Sequence, residues 1–128
     1  MIATLLTAIA LSTPADWSKV DTAMLSVLAI ESMYDVANTR YRLLHPQEGL
    51  EDLPNRRFDE INPLLGSNPS PLRLWGTFAV AIATAFVISY FLPITPRRLA
   101  EGAMLGGESV NLARNAIQPG YVVWKVAF

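Results

Sequence analysis

Along the chain, hydrophobic positions gather into long stretches separated by polar, proline-rich breaks, and the middle stretch carries no charge at all. Residues 74–92, LWGTFAVAIATAFVISYFL, are nineteen consecutive uncharged residues. At about 1.5 Å of rise per residue, a helix of that length covers ~28 Å, close to the roughly 30 Å hydrocarbon core of a bilayer. Its ends carry the side chains that belong at membrane boundaries: Arg73 and Trp75 on one side, Tyr90, Phe91, Arg97 and Arg98 on the other. The pattern predicts a transmembrane helix over 73–92. The competing reading of the same run is the central helix of a soluble bundle.

Before this run, Ser12-Thr13-Pro14-Ala15-Asp16 combines a capping residue with a proline allowed in a first turn, which predicts a helix over 16–44. Its first half, AMLSVLAI, suits lipid, but its second half adds Glu31, Asp35, Asn38, Arg40 and Arg42. Those groups must face protein or water, because a charge at the bilayer centre costs about 2.5–3.5 kcal/mol even on insertion scales. After Pro93 and Pro96 a third helix is predicted over 97–117. Gly102 and Gly106 form a GxxxG, echoed one position on by Ala103 and Gly107, and this groove invites close packing against Gly76, Ala79 and Ala83 of the preceding helix. Glu101, Glu108, Asn111 and Asn115 share a polar face of the same helix.

The remaining segments have other patterns. Residues 1–12 form an apolar segment too short to span, without the basic residues that precede a signal core, and read as a retained short helix or anchor. Residues 45–72 hold Pro46, Pro54, Pro63, Pro69 and Pro71 among mixed charges, which predicts an ordered but irregular loop. Within it Asn62-Pro63 and Asn68-Pro69 initiate turns, Gly66 is free to adopt positive φ, and Ser70 with Pro71 is placed to start the spanning helix. The tail 118–128, QPGYVVWKVAF, is an apolar run expected to lie along the interface or to pair with another chain.

Composition narrows the function classes. A chain of 128 residues, 52% apolar, houses one compact helical unit and no separate soluble enzyme domain. Eight arginines and two lysines face eleven acids for a net charge of −1, with no basic cluster long enough to neutralise a row of phosphates, so nucleic acid is not an expected partner. The absence of cysteine excludes disulfides, thiolate metal sites and cysteine nucleophiles. His45 is the only histidine, and the chain has no G-x-S-x-G, H-E-x-x-H or phosphate-binding loop, so no catalytic residues are assigned. Trp17, Trp75 and Trp124 read as interfacial anchors.

Candidate chemistry rests on oxygen ligands. Glu31 and Asp35, four residues apart, share a helical face, and with Glu108, Asn111 and Asn115 from the third helix and Glu60 from the loop they compose an oxygen-rich set. Such a set suits Ca²⁺, Mg²⁺ or Mn²⁺, and an intramembrane carboxylate also carries protons. In the bland alternative, Glu31, Asp35 and Glu108 pair with Arg40, Arg42 or Arg114 and hydrogen-bond across helices. No cofactor is required; a divalent cation or a bound lipid is compatible with the pattern.

The most distinctive string is Glu60-Ile61-Asn62-Pro63-Leu64-Leu65-Gly66, continued by Pro69 and Ser70. With Asp35 and Thr39 before it, Leu92-Pro93 after it, and Glu108, Asn115 and Gly120 closing the pattern, the chain resembles a loosely defined group of small bacterial and phage polytopic membrane proteins with an E-x-N-P-x-L-G-x-x-P-S loop. Ser67-Asn68 and Pro71 depart from the group's usual turn. The resemblance covers about residues 31–120 and implies a membrane location and shared architecture but no activity; within the loop, Asn62, Pro63 and Gly66 are candidate contact residues.

The expectation is thus an all-α integral membrane protein, with about three long helices, a short N-terminal helix and an ordered proline-rich loop. Its expected work is that of a non-enzymatic subunit, packing against the bilayer, other membrane subunits or copies of itself. The alternatives are a carboxylate-based ion or proton pathway, a metal-dependent membrane enzyme, and a holin-like lysis protein. Arg40, Arg42, Arg56, Arg57 and Arg73 outnumber Arg97 and Arg98, so the positive-inside tendency places loop 45–72 in the cytoplasm, the membrane being a bacterial inner membrane.

Overall fold

The computed structural model describes residues 14–48, 50, 62–118 and 125–128. Three α-helices make up the described structure: α1 (Lys19–Leu44), α2 (Pro71–Phe91) and α3 (Ile94–Ala116), with no strand among the described residues. The expected short N-terminal helix lies outside the described residues, as do Glu60, most of the proline-rich loop, Gly120 and Trp124.

Local chemistry sets the boundaries. α1 starts at Lys19, three residues later than expected from Pro14, because Ser18 and Asp21 form a reciprocal capping box. The Ser18 hydroxyl accepts from the amides of Val20 and Asp21, while the Asp21 carboxylate accepts from the Ser18 amide at 2.6 Å. The helix ends at Leu44, before His45-Pro46, where the residue preceding proline leaves the helical region. α2 begins as expected, with Ser70 accepting from the Arg73 amide at 3.2 Å and proline at the first position. α3 begins three residues before the expected Arg97, since Pro96 still falls inside the first turn, where it removes no helical bond.

The turn before α2 is built by Asn62. Its carbonyl accepts from the amides of Leu65 and Gly66, both at 3.0 Å, and its side-chain oxygen accepts from Leu64 at 3.0 Å. Gly66 closes the turn at φ +79°, a conformation that side chains resist.

Contacts fix the topology. Asp21 meets Arg98, Glu31 meets Ser109 and Asp35 meets Asn115, at sequence separations of 77, 78 and 80, so α1 and α3 run parallel. α2 packs beside both in the opposite sense: Trp17 packs on Phe86 near one end, and Trp75 on Phe128 near the other. Of the tail, residue 118 and residues 125–128 are described. Residues 125–128 lie along α1, with the Ala127 amide donating to the Ala37 carbonyl at 2.9 Å and Asn38 donating to the Lys125 carbonyl at 2.9 Å.

The buried side chains are inverted relative to a water-soluble bundle. Those buried among the described residues include six apolar ones, Leu28, Ala37, Leu50, Leu65, Leu74 and Ala85, and seven polar ones, Asp21, Asn38, Thr39, Arg42, Ser89, Arg97 and Glu101. Large apolar side chains point outward instead, among them Leu72, Val80, Val87, Ile88 and Phe91 of α2.

Candidate functional site

Polar groups form three clusters, two along the seam between α1 and α3 and one where the end of α1 meets Glu48 and Lys125. At the end where α2 turns into α3, Arg97 is 1% exposed and joins three segments. Its Nε donates to the Ser89 carbonyl at 2.7 Å and its Nη2 to the Leu92 carbonyl at 2.9 Å, two acceptors that the end of α2 leaves without helical donors. Nη2 also pairs with Asp16 at 2.9 Å, Nη1 lies 3.8 Å from Asp21, and the guanidinium stands 5.3 Å from the Trp17 ring centroid. A cation is favoured at the C-terminus of α2 and disfavoured in the first turn of α3, so the two carboxylates offset the second effect. Sequence pattern marked Arg97 as a boundary anchor; it is an internal clamp.

Asp21 occupies the centre of that cluster, wholly buried. Burial pushes its carboxyl upward, but the Ser18 amide, Arg98 at 2.6 Å and the Ser18 hydroxyl outweigh burial and hold it below the usual carboxylate range. Glu101, 1% exposed, is the opposite case: neither carboxyl oxygen meets a donor. Burial, then the neighbouring Asp21 carboxylate, raise it above the usual range. The same surroundings therefore favour charge on Asp21 and disfavour it on Glu101.

Midway along the seam, Ser109 donates to both oxygens of Glu31 at 3.1 and 3.2 Å, and Asn115 donates to Asp35 at 3.1 Å, with Asn111 at 3.4 Å. Glu108 lies within electrostatic reach of Asp35 and Glu31. The structure thus brings Glu31, Asp35, Asn111 and Asn115 together through cross-helix hydrogen bonds from uncharged donors, with Glu108 close by. Among the described residues, no three His, Asp or Glu side chains are grouped so as to hold a metal ion. Glu60, the loop member of the expected set, lies outside them.

At the far end, Tyr41 donates to Glu48 at 2.6 Å, and Lys125 pairs with the same carboxylate. The bonds from Lys125, and then from Tyr41, lower the Glu48 carboxyl; bonding to Glu48 raises both Tyr41 and Lys125.

The small residues are placed differently from expectation. Gly102 faces Met24 of α1, whose Cε lies 3.8 Å from where a Cβ would stand, rather than the small face of α2. Gly76 and Gly106 have no neighbour within 4 Å of that position, and Ala79 and Ala83 are exposed. Asn62, Pro63 and Gly66 shape the turn beside the start of α2. There an open apolar groove of about 410 Å³ is lined by Leu64, Leu72, Arg73, Gly76, Thr77 and Val80.

No sequence signal short of the packed structure marks Arg97 and Glu101 as buried partners of Asp21; the one available hint was Ser18-x-x-Asp21, a capping-box spacing. The chain matches no protein-family model, no curated protein and no solved structure.

Proposed function

We propose that the protein is a non-enzymatic integral membrane subunit, in which α2 crosses the bilayer and α1 and α3 pack beside it, joined to each other by their polar seam. The observation that carries this reading is the inverted distribution of side chains. α2 is long and apolar enough to cross a membrane, yet only 17% of its apolar window is buried by the rest of the chain. A soluble bundle would bury such a helix at its centre, since apolar area left in water forgoes about 25 cal/mol per Å². In lipid the same outward face is satisfied, and polar groups are best turned toward one another.

The exposed small residues Ala79 and Ala83 of α2 and Gly106 of α3 favour docking of a further helix, from another subunit or a second copy. Arg40, Arg42, Arg73, Arg114 and Lys125 gather at the loop end, against Lys19, Arg98 and the doubly paired Arg97 at the other, and the positive-inside tendency supports a cytoplasmic loop in a bacterial inner membrane. The likeness to small bacterial and phage membrane proteins fits this reading, and a holin-like self-associating form is one version of it. A second reading, an ion or proton pathway, is favoured by the Glu31, Asp35 and Glu108 cluster alone.

Membrane fractionation with an alkaline carbonate wash, followed by native mass analysis of the detergent extract, tests the proposal. Retention in the pellet with a second subunit or a defined oligomer is the expected result; release into the supernatant overturns it. Asp35→Asn separates the two readings, since a pathway loses conduction with assembly intact, whereas a packing role loses assembly.

A further inference from the structure

We propose that the groove at the start of α2 holds an anionic phospholipid, with the lipid phosphate on Arg73 and an acyl chain along Gly76 and Val80. This inference rests on the membrane reading of α2 and names a ligand for one place on it.

The geometry is directional. Leu72, Gly76 and Val80 follow one another at four-residue steps, so the groove runs along the helix axis for ~12 Å, from the boundary into the apolar span. Gly76 leaves its floor open, with nothing within 4 Å of a Cβ position. Leu64 forms the lip, and the Asn62 turn holds it there, with Gly66 at positive φ.

Arg73 stands at the boundary end of this channel. Its Nε donates to the Leu64 carbonyl at 3.1 Å, which fixes the plane of the guanidinium. Nη1 and Nη2 pair with no carboxylate among the described residues, and the first turn of α2 contains no acid. A planar donor pair beside an apolar channel matches a phosphate joined to a hydrocarbon chain, since guanidinium binds phosphate through paired, charge-assisted hydrogen bonds. The Asn62-Pro63-Leu64-Leu65-Gly66 string thereby acquires a use: it builds the lip and aims the arginine.

The test uses the full chain in detergent with phosphatidylglycerol or phosphatidylcholine added, read by native mass spectrometry, alongside flotation with vesicles of the same lipids. Wild type should retain phosphatidylglycerol in preference to phosphatidylcholine. Arg73→Gln should lower that preference about tenfold, the scale of a lost charge-assisted bond. Gly76→Leu extends into open space, so the fold tolerates it, and it should weaken retention of both lipids while the preference persists. Wild-type retention by Gly76→Leu would mean that charge alone holds the headgroup, and it overturns the groove. Equal retention of the two lipids by a wild-type chain that floats overturns this inference alone; a chain that does not float overturns the membrane reading beneath it.

Discussion

Replacing Arg97 with alanine should be among the most damaging single changes outside the apolar span. The truncation leaves the Ser89 and Leu92 carbonyls without their donor and removes the cation between Asp16 and Asp21. Each orphaned buried group costs about 1–3 kcal/mol, and breaking a buried pair by removing one partner costs about 3–5 kcal/mol in total, because the individual losses overlap. With Arg97 1% exposed, solvent screening does not reduce that figure. Against a typical stability of about 5–15 kcal/mol the change is severe. Denaturant titration in detergent micelles, followed by far-ultraviolet circular dichroism, measures it, and Trp17 fluorescence reports the same site locally because its ring lies 5.3 Å from the guanidinium. Arg97→Lys keeps the charge but not the fork that reaches two carbonyls and a carboxylate together, and should recover less than half of the loss. Arg98→Ala removes a side chain that is 33% exposed but bonded to the wholly buried Asp21 at 2.6 Å, and should cost about 1–3 kcal/mol, less than Arg97→Ala. A loss below about 1 kcal/mol for Arg97→Ala would refute the clamp.

Further expectations concern the acids and the turn. Because the folded state holds Asp21 below the usual range, its contribution is present above about pH 4 and lost as pH falls through the folded value; Asp21→Asn should flatten the acid limb of the stability profile. Glu101 has the opposite sign: its raised folded value makes stability decline as pH rises past about 4, so Glu101→Gln should remove that decline and leave the protein as stable or more stable at neutral pH, which pH-resolved melting reads directly. Gly66→Ala forces a side chain into φ +79° and should cost about 1–2 kcal/mol in the same denaturation assay, whereas Gly106→Ala, with open space at its Cβ, should cost nothing measurable.

Helix number and rough extent were legible in the sequence because they depend on local signals: an uncharged run, Ser70-Pro71, and His45-Pro46. The acidic and amide residues of the middle cluster were legible for the same reason, since helical spacing alone puts Glu31 with Asp35 and Asn111 with Asn115. Less legible were relations between elements. Gly102 could face α1 or α2 with equal ease in sequence, and only the parallel placement of α1 and α3 sets it against Met24. Arg97 follows two prolines at the foot of an apolar run, where arginines normally reach for solvent or headgroups. Its burial depends on Asp16 and Asp21, which are about eighty residues away and whose nearness no local pattern records.

The strap formed by residues 125–128 has a consequence for biosynthesis. The α1–α2 hairpin contains only contacts available once Phe91 has emerged, but Ala37 and Asn38 wait for Ala127 and Lys125, the latter pair separated by 87 residues. The loop end of α1 therefore stays open through translation of α3 and closes only once residues 125–127 have emerged. Until then, the Ala37 carbonyl keeps only its bond within α1. Under the proposed subunit role, docking of a partner at that end and closure of the strap would compete for the same interval of synthesis.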